Sequence, residues 1–155
     1  MGDHRGGENG QFIHELSAKT EQKMDELAEQ GNALFDLGRT DEALKVWTEG
    51  LDLIPEPKNC YAQSVWFLAS IGDIWFDRKN FPKALECFEA ARTNLSGQGM
   101  NNPFVLLRAG QCYYETGDED MAAELLLSAY MLEGEEIFEE DDEKYFDFLS
   151  SREEL

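Results

Sequence analysis

The residues with the most chemical potential in this 155-residue sequence are carboxylates set beside aromatic rings at a fixed spacing. Counting from Gly31, Gly72 and Gly110, the residue six before is Asp25, Trp66 or Phe104, and three before it is Ala28, Ala69 or Leu107. One after stands Asn32, Asp73 or Gln111; four after stands Phe35, Phe76 or Tyr114, with Asp36, Asp77 or Glu115 next in line. Steps of three, four and three keep the first four positions on one face of a helix. An aromatic floor with acidic neighbours suits arginine and lysine, whose stems lie on rings while their charge meets carboxylates. Phe35 and Phe76 have a second reading as packing between helices, and both readings stay open; Trp66 and Phe104 read as accessible.

Chemistry beyond binding has little to work with. His4 and His14 belong to no H-x-x-x-H or H-E-x-x-H spacing. There is no glycine-rich phosphate loop, and no two carboxylates are set apart as an acid and base pair. The run from Glu133 to Asp147 holds nine carboxylates and one lysine, but it lacks the D-x-[DN]-x-[DN]-G spacing that wraps calcium. Cys60, Cys87 and Cys112 form no C-x-x-C pair and are odd in number, which fits a reduced cytosolic compartment. The expectation is a non-enzymatic chain with no catalytic residues, no cofactor and no metal.

Charge narrows the partners. Acidic residues number 33 against 13 basic ones, leaving a net −20. That argues against nucleic acid or anionic membrane and for a basic protein, although an acidic surface also simply keeps a protein in solution. Neither a signal core nor a membrane-length apolar run is present, so the expected location is the cytoplasm. Residues 1–12 are rich in glycine and polar groups and are expected to be disordered, with a single domain over 13–155.

The elements that must position these side chains are helical hairpins. Gly31 to Pro55 puts Leu27, Gly31 and Leu34 on one face and Ala43, Trp47, Gly50 and Leu51 on another, with Gly38, Arg39 and Thr40 as the turn. The same code recurs. Twelve residues beyond each glycine stand Ala43, Ala84 and Ala122; sixteen beyond stand Trp47, Phe88 and Leu126; nineteen beyond stand Gly50, Ala91 and Ala129. Small residues fall where two helix backbones come closest, and large ones fill the space between.

This spacing resembles the tetratricopeptide repeat, whose signature is W-x2-L-G-x2-Y, then A-x3-F, then P. Three copies run from about Lys23 to Glu133, with bounds near 24–57, 65–98 and 103–136. The leading Trp position holds Leu27, Leu68 and Leu106, and the closing proline survives only as Pro55. The glycines lie 41 and 38 residues apart, against about 34 in the family, an excess assigned to longer links at PEPKN and SGQGMNN. The stripe Tyr145, Phe148 and Leu149 suggests an acidic capping helix over about 137–150. The resemblance implies an all-α, right-handed solenoid of three repeats plus that cap.

It also implies a concave groove that takes up a partner, lined by Asn32, Phe35, Asp36, Trp66, Asp73, Phe76, Asp77, Phe104, Leu107, Gln111, Tyr114 and Glu115. The carboxylate-clamp subclass, which grips a peptide's C-terminus with basic and Asn side chains, fits poorly: Asn32 alone matches, while Asp36, Asp73 and Asp77 would repel. WFLASIGDIWF, NPFVLLRAGQCYYETGD and EGEEIFEEDD are similar to stretches of small bacterial tetratricopeptide proteins, some of which serve as immunity partners of secreted toxins. Two expectations follow from the resemblance: a module that clamps a basic protein, such as a toxin domain, or a chaperone or assembly adaptor holding an extended peptide. A homodimer joined through the cap is a third.

Overall fold

The computed structural model describes residues 15–155, so the expected disorder of residues 1–12 and both histidines lie outside the described residues. Ser17 starts the first helix by accepting the Thr20 amide on its hydroxyl (3.1 Å). Helix α1 spans Ala18–Asp36 and α2 Thr40–Asp52. The second pair is α3 (Gln63–Asp77) and α4 (Phe81–Arg92), the third α5 (Pro103–Thr116) and α6 (Glu119–Glu133). Asn80, Asn102 and Asp118 cap α4, α5 and α6 through their side chains, and prolines occupy the first turns of α4 and α5, where no amide is missed. Among the described residues no helix is long and apolar enough to cross a membrane, and no group of three or more His, Cys, Asp or Glu is placed to hold a metal ion.

The three hairpins turn at equivalent points. Gly38, Lys79 and Gly117, each seven residues past its packing glycine, all have positive φ (78°, 61° and 96°). Two are glycine; the middle one forces a lysine into a backbone region that costs roughly 1–2 kcal/mol.

Within each hairpin the code of small and large residues is realised atom by atom. A β-carbon on Gly31 would overlap the Trp47 indole; on Gly72 it would lie 3.0 Å from Cys87 Cβ and Phe88 Cε2; on Gly110 it would lie 2.9 Å from Leu126. Ala43, Ala84, Ala91, Ala122 and Ala129 are fully buried. Between hairpins, Gly50 accommodates the Phe67 ring.

The two long links are bonded to each other. The first carries a short 3-10 turn, Lys58–Cys60. Buried Asn94, in the second, donates to Tyr61 O (3.0 Å) and Ser64 Oγ (2.8 Å), and the Leu95 amide donates to Asn59 O (2.8 Å). The extra residues that lengthen the repeat thus form their own hydrogen-bonded layer, which satisfies backbone groups the helices leave behind.

The cap differs in detail from a continuous helix over 137–150. After Gly134 the chain makes a 3-10 turn at Glu135–Phe138, breaks, and resumes as α7 (Glu143–Arg152). Two causes are visible. Asp142 turns its carboxylate onto the Lys144 amide to cap α7, and Asp141 sends its own to Arg108. Phe138, Tyr145 and Leu149 are buried against the third hairpin, and Phe148 is half-buried beside them.

Candidate functional site

The faces of α1, α3 and α5 turned away from their partner helices carry two clefts with one ring between them. A cleft of about 300 Å³ between α1 and α3 is lined by Glu21, Met24, Asp25, Ala28, Gln63, Trp66 and Phe67. A second, of about 450 Å³, lies between α3 and the start of α5 and is lined by residues that include Trp66, Ser70, Asp73, Gln98, Asn102 and Phe104. Trp66 serves both. Its indole stands edge-on to Trp47 (5.6 Å between centroids) and to Phe67 (5.2 Å), which holds the ring in place while 42% of the residue stays exposed. Glu21, Asp25 and Asp73 are the charged residues of these linings; no lysine or arginine lines either.

Next to the larger cleft lies a cation that the repeat pattern does not announce. The Arg108 guanidinium lies over the rings of Phe76 (4.5 Å to the centroid) and Phe104 (5.0 Å). Its Nε donates to Asp73 Oδ1 at 2.9 Å, and one terminal nitrogen donates to Gln111 Oε1 (2.8 Å) and Asp141 Oδ1 (3.0 Å). Burial alone would lower its pKa; Asp141 and Asp73 outweigh that and raise it. One side chain therefore ties α3, α5 and the segment before α7 together. Asp77, exposed one turn beyond Asp73, has its carboxyl pKa raised, first by partial desolvation and then by the like charge of Asp73, with Arg108 opposing.

The structure separates the expected groove residues into two groups. Trp66 and Phe104 are exposed and share the larger cleft with half-buried Asp73. Asn32, Asp36 and Asp77 are exposed outside both clefts, and Phe35 is half-buried with its ring 6.0 Å from that of Trp47. The others are withdrawn from the surface. Leu107 (3% exposed) packs into the core of the third hairpin, and Gln111 (0%) is buried beneath Arg108 with its Nε2 lacking a partner among the described residues. Phe76 is covered by Arg108 and by the ring of Phe81. Tyr114 lies under Tyr145 and Phe148, and Glu115 accepts Tyr145 Oη (2.5 Å) and Lys144 Nζ (2.7 Å). Docking of α7 is the physical reason for the last two: the cap occupies the part of the face they would have offered.

Arg108 and Glu21 were not among the expected groove residues. A signal for Arg108 exists, since the position two before each packing glycine reads Glu29, Ser70 and Arg108, a lone base in an otherwise uncharged stretch of helix.

No family model matches the sequence, and no curated protein matches it. Solved structures do. The first tetratricopeptide domain of Spaghetti (RPAP3), solved bound to the HSP90 peptide SRMEEVD, superposes with a TM-score of 0.62 at 20% identity, over 84% of this chain and 90% of that one. The N-terminal domain of stress-induced protein-1 (STI-1) from C. elegans gives 0.61 at 15% identity, over 86% of this chain and 98% of that one. At these identities the likeness is one of fold. Together with three hairpins that repeat one packing code, it makes this chain an all-α solenoid of the tetratricopeptide-repeat type.

Proposed function

We propose that this chain is a protein–protein interaction module whose α1–α3–α5 face binds a basic, extended segment of another protein. One observation carries the reading: an exposed Trp66, packed edge-on to Trp47 and Phe67, divides two clefts whose only charged lining residues are Glu21, Asp25 and Asp73. A ring packed against its neighbours offers contact area at little entropic cost, and the carboxylates beside it, of which only Asp73 has a cationic partner (Arg108) among the described residues, favour a cation and steer its approach. The net −20 of the whole chain acts in the same direction.

The neighbour's bound peptide, SRMEEVD, carries acids at its C-terminal end. The face here has the opposite preference, because Asp73 and Asp77 would repel such a terminus and the nearest cation, Arg108, already serves Asp73 and Asp141. The reading is tested by calorimetric titration of the full chain with peptides of equal length, one rich in lysine and arginine and one being SRMEEVD. The basic peptide is expected to bind and to weaken about tenfold or more as salt rises. Equal binding of the acidic peptide, or affinity that ignores salt, would overturn it.

A further inference from the structure

The protein already holds one arginine, and the way it does so describes a second place. Besides its bonds to Gln111 and Asp141, Arg108 is held by three ingredients: the ring of Phe76, the ring of Phe104 and a carboxylate at its Nε (Asp73 Oδ1). Two of these, Phe104 and Asp73, also line the open cleft between α3 and α5. Trp66, on the same lining, supplies a ring in the role Phe76 plays inside. Arg108 engages only Oδ1 of Asp73, so Oδ2 has no hydrogen-bond partner among the described residues. Ser70 and Gln98 add further acceptors to the lining.

We propose that the α3–α5 cleft is a receptor for one arginine side chain of the partner, stacked on Trp66 and Phe104 and paired with Asp73. The proposal rests on the basic-segment reading above and sharpens it from cation to guanidinium. A guanidinium is planar, stacks on aromatic faces, spreads five donors over separated acceptors and sheds water more readily than an ammonium. The lining asks for each of these properties: two rings, a part-buried carboxylate, a hydroxyl and an amide. A lysine also carries three donors, but all on one atom and on a strongly hydrated head that does not stack, so it would pair with the carboxylate without matching the rings and the spread of acceptors. The cleft between α1 and α3 lacks this arrangement, because Phe67 is buried and Gln63 already donates to Glu21 (2.9 Å).

The test uses the full chain and N-acetyl-glycyl-X-glycine amides in which X is arginine, lysine or citrulline, followed by amide and indole NMR shifts. Citrulline keeps the shape of arginine and loses its charge. Arginine is expected to bind about threefold to tenfold tighter than lysine and about tenfold or more tighter than citrulline. The shifts should centre on the Trp66 indole N–H and the amides of Ser70, Asp73 and Phe104. In Trp66→Leu the preference for arginine over lysine should vanish while the dispersion of the amide spectrum is kept. If that variant fails to fold, the three ligands on the unaltered chain still decide. Equal binding of arginine and lysine, or shifts confined to Glu21 and Asp25, would overturn the arginine receptor and leave the basic-segment reading standing. Binding of citrulline as strong as that of arginine would overturn both.

Discussion

Replacing Arg108 by methionine should cost more stability than any other single charge deletion in the described chain. Methionine keeps much of the stem against Phe76 and Phe104 and removes the three hydrogen bonds to Asp73, Gln111 and Asp141. What remains is unfavourable. The Asp141 side chain is only 14% exposed and would face Asp73 with no cation between them; Gln111, fully buried and already lacking a partner for Nε2, would lose its Oε1 partner too. Breaking a buried pair by removing one partner costs about 3–5 kcal/mol. Asp73 is 29% exposed and can recover some hydration, so the expected loss is about 3 kcal/mol. That is a large share of the roughly 5–15 kcal/mol that holds a typical domain together. Urea unfolding followed by tryptophan fluorescence measures it. Arg108→Met/Asp141→Asn should regain part of the loss, with a coupling of about 1–3 kcal/mol. A loss below about 1 kcal/mol, or no coupling to Asp141, would mean that the arginine behaves as a solvated surface pair and would refute the account of it as the tie between hairpins and cap.

Three further expectations concern other parts of the chain. Lys79→Gly should stabilise by about 1 kcal/mol, seen as a higher urea midpoint with unchanged slope, because Lys79 holds a positive φ (61°) where its counterparts are glycine. Cys87 and Cys112 should resist iodoacetamide at pH 8 until denaturant is added, by mass spectrometry, since burial pushes their thiols up to about 11 and about 12. Asp77→Asn should be at least as stable as the unaltered chain at pH 7. The folded carboxyl has a raised pKa, so its favourable contribution belongs to the protonated form and is lost as pH rises through that value. The advantage of asparagine should therefore shrink as pH falls into the carboxyl range, and a thermal-melt series in pH would show it.

The fold was legible because its code is local. Gly31, Gly72 and Gly110 meet Trp47, Phe88 and Leu126 at one constant separation, and the structure places each pair in contact. What periodicity cannot carry is the layer formed by the two long links, where Asn94 reaches back to Tyr61 and Ser64. The site was legible to the extent that a side chain's exposure follows from its place on one helix, as at Trp66 and Phe104. It was not legible where a distant segment decides. Tyr114 and Glu115 share the stripe of Phe35 and Asp36, yet α7 covers the first pair. Arg108 borders the stripe, four after Phe104 and three before Gln111, but nothing in the spacing shows that its partners come from three separate stretches of chain.

The two ends of the row of hairpins are not alike. The third hairpin is clasped by α7 and by the Asp141–Arg108 bond, whereas the first, among the described residues, is flanked by the second alone. In a linear array each unit draws its stability from the units beside it, so the unit with one neighbour opens first. Amide exchange should accordingly quicken from α5 and α6 towards α1. Since α1 forms one wall of the smaller cleft and α3 the other, a segment bound there would strap the first hairpin to the second, and its grip would be felt as slower fraying of that end.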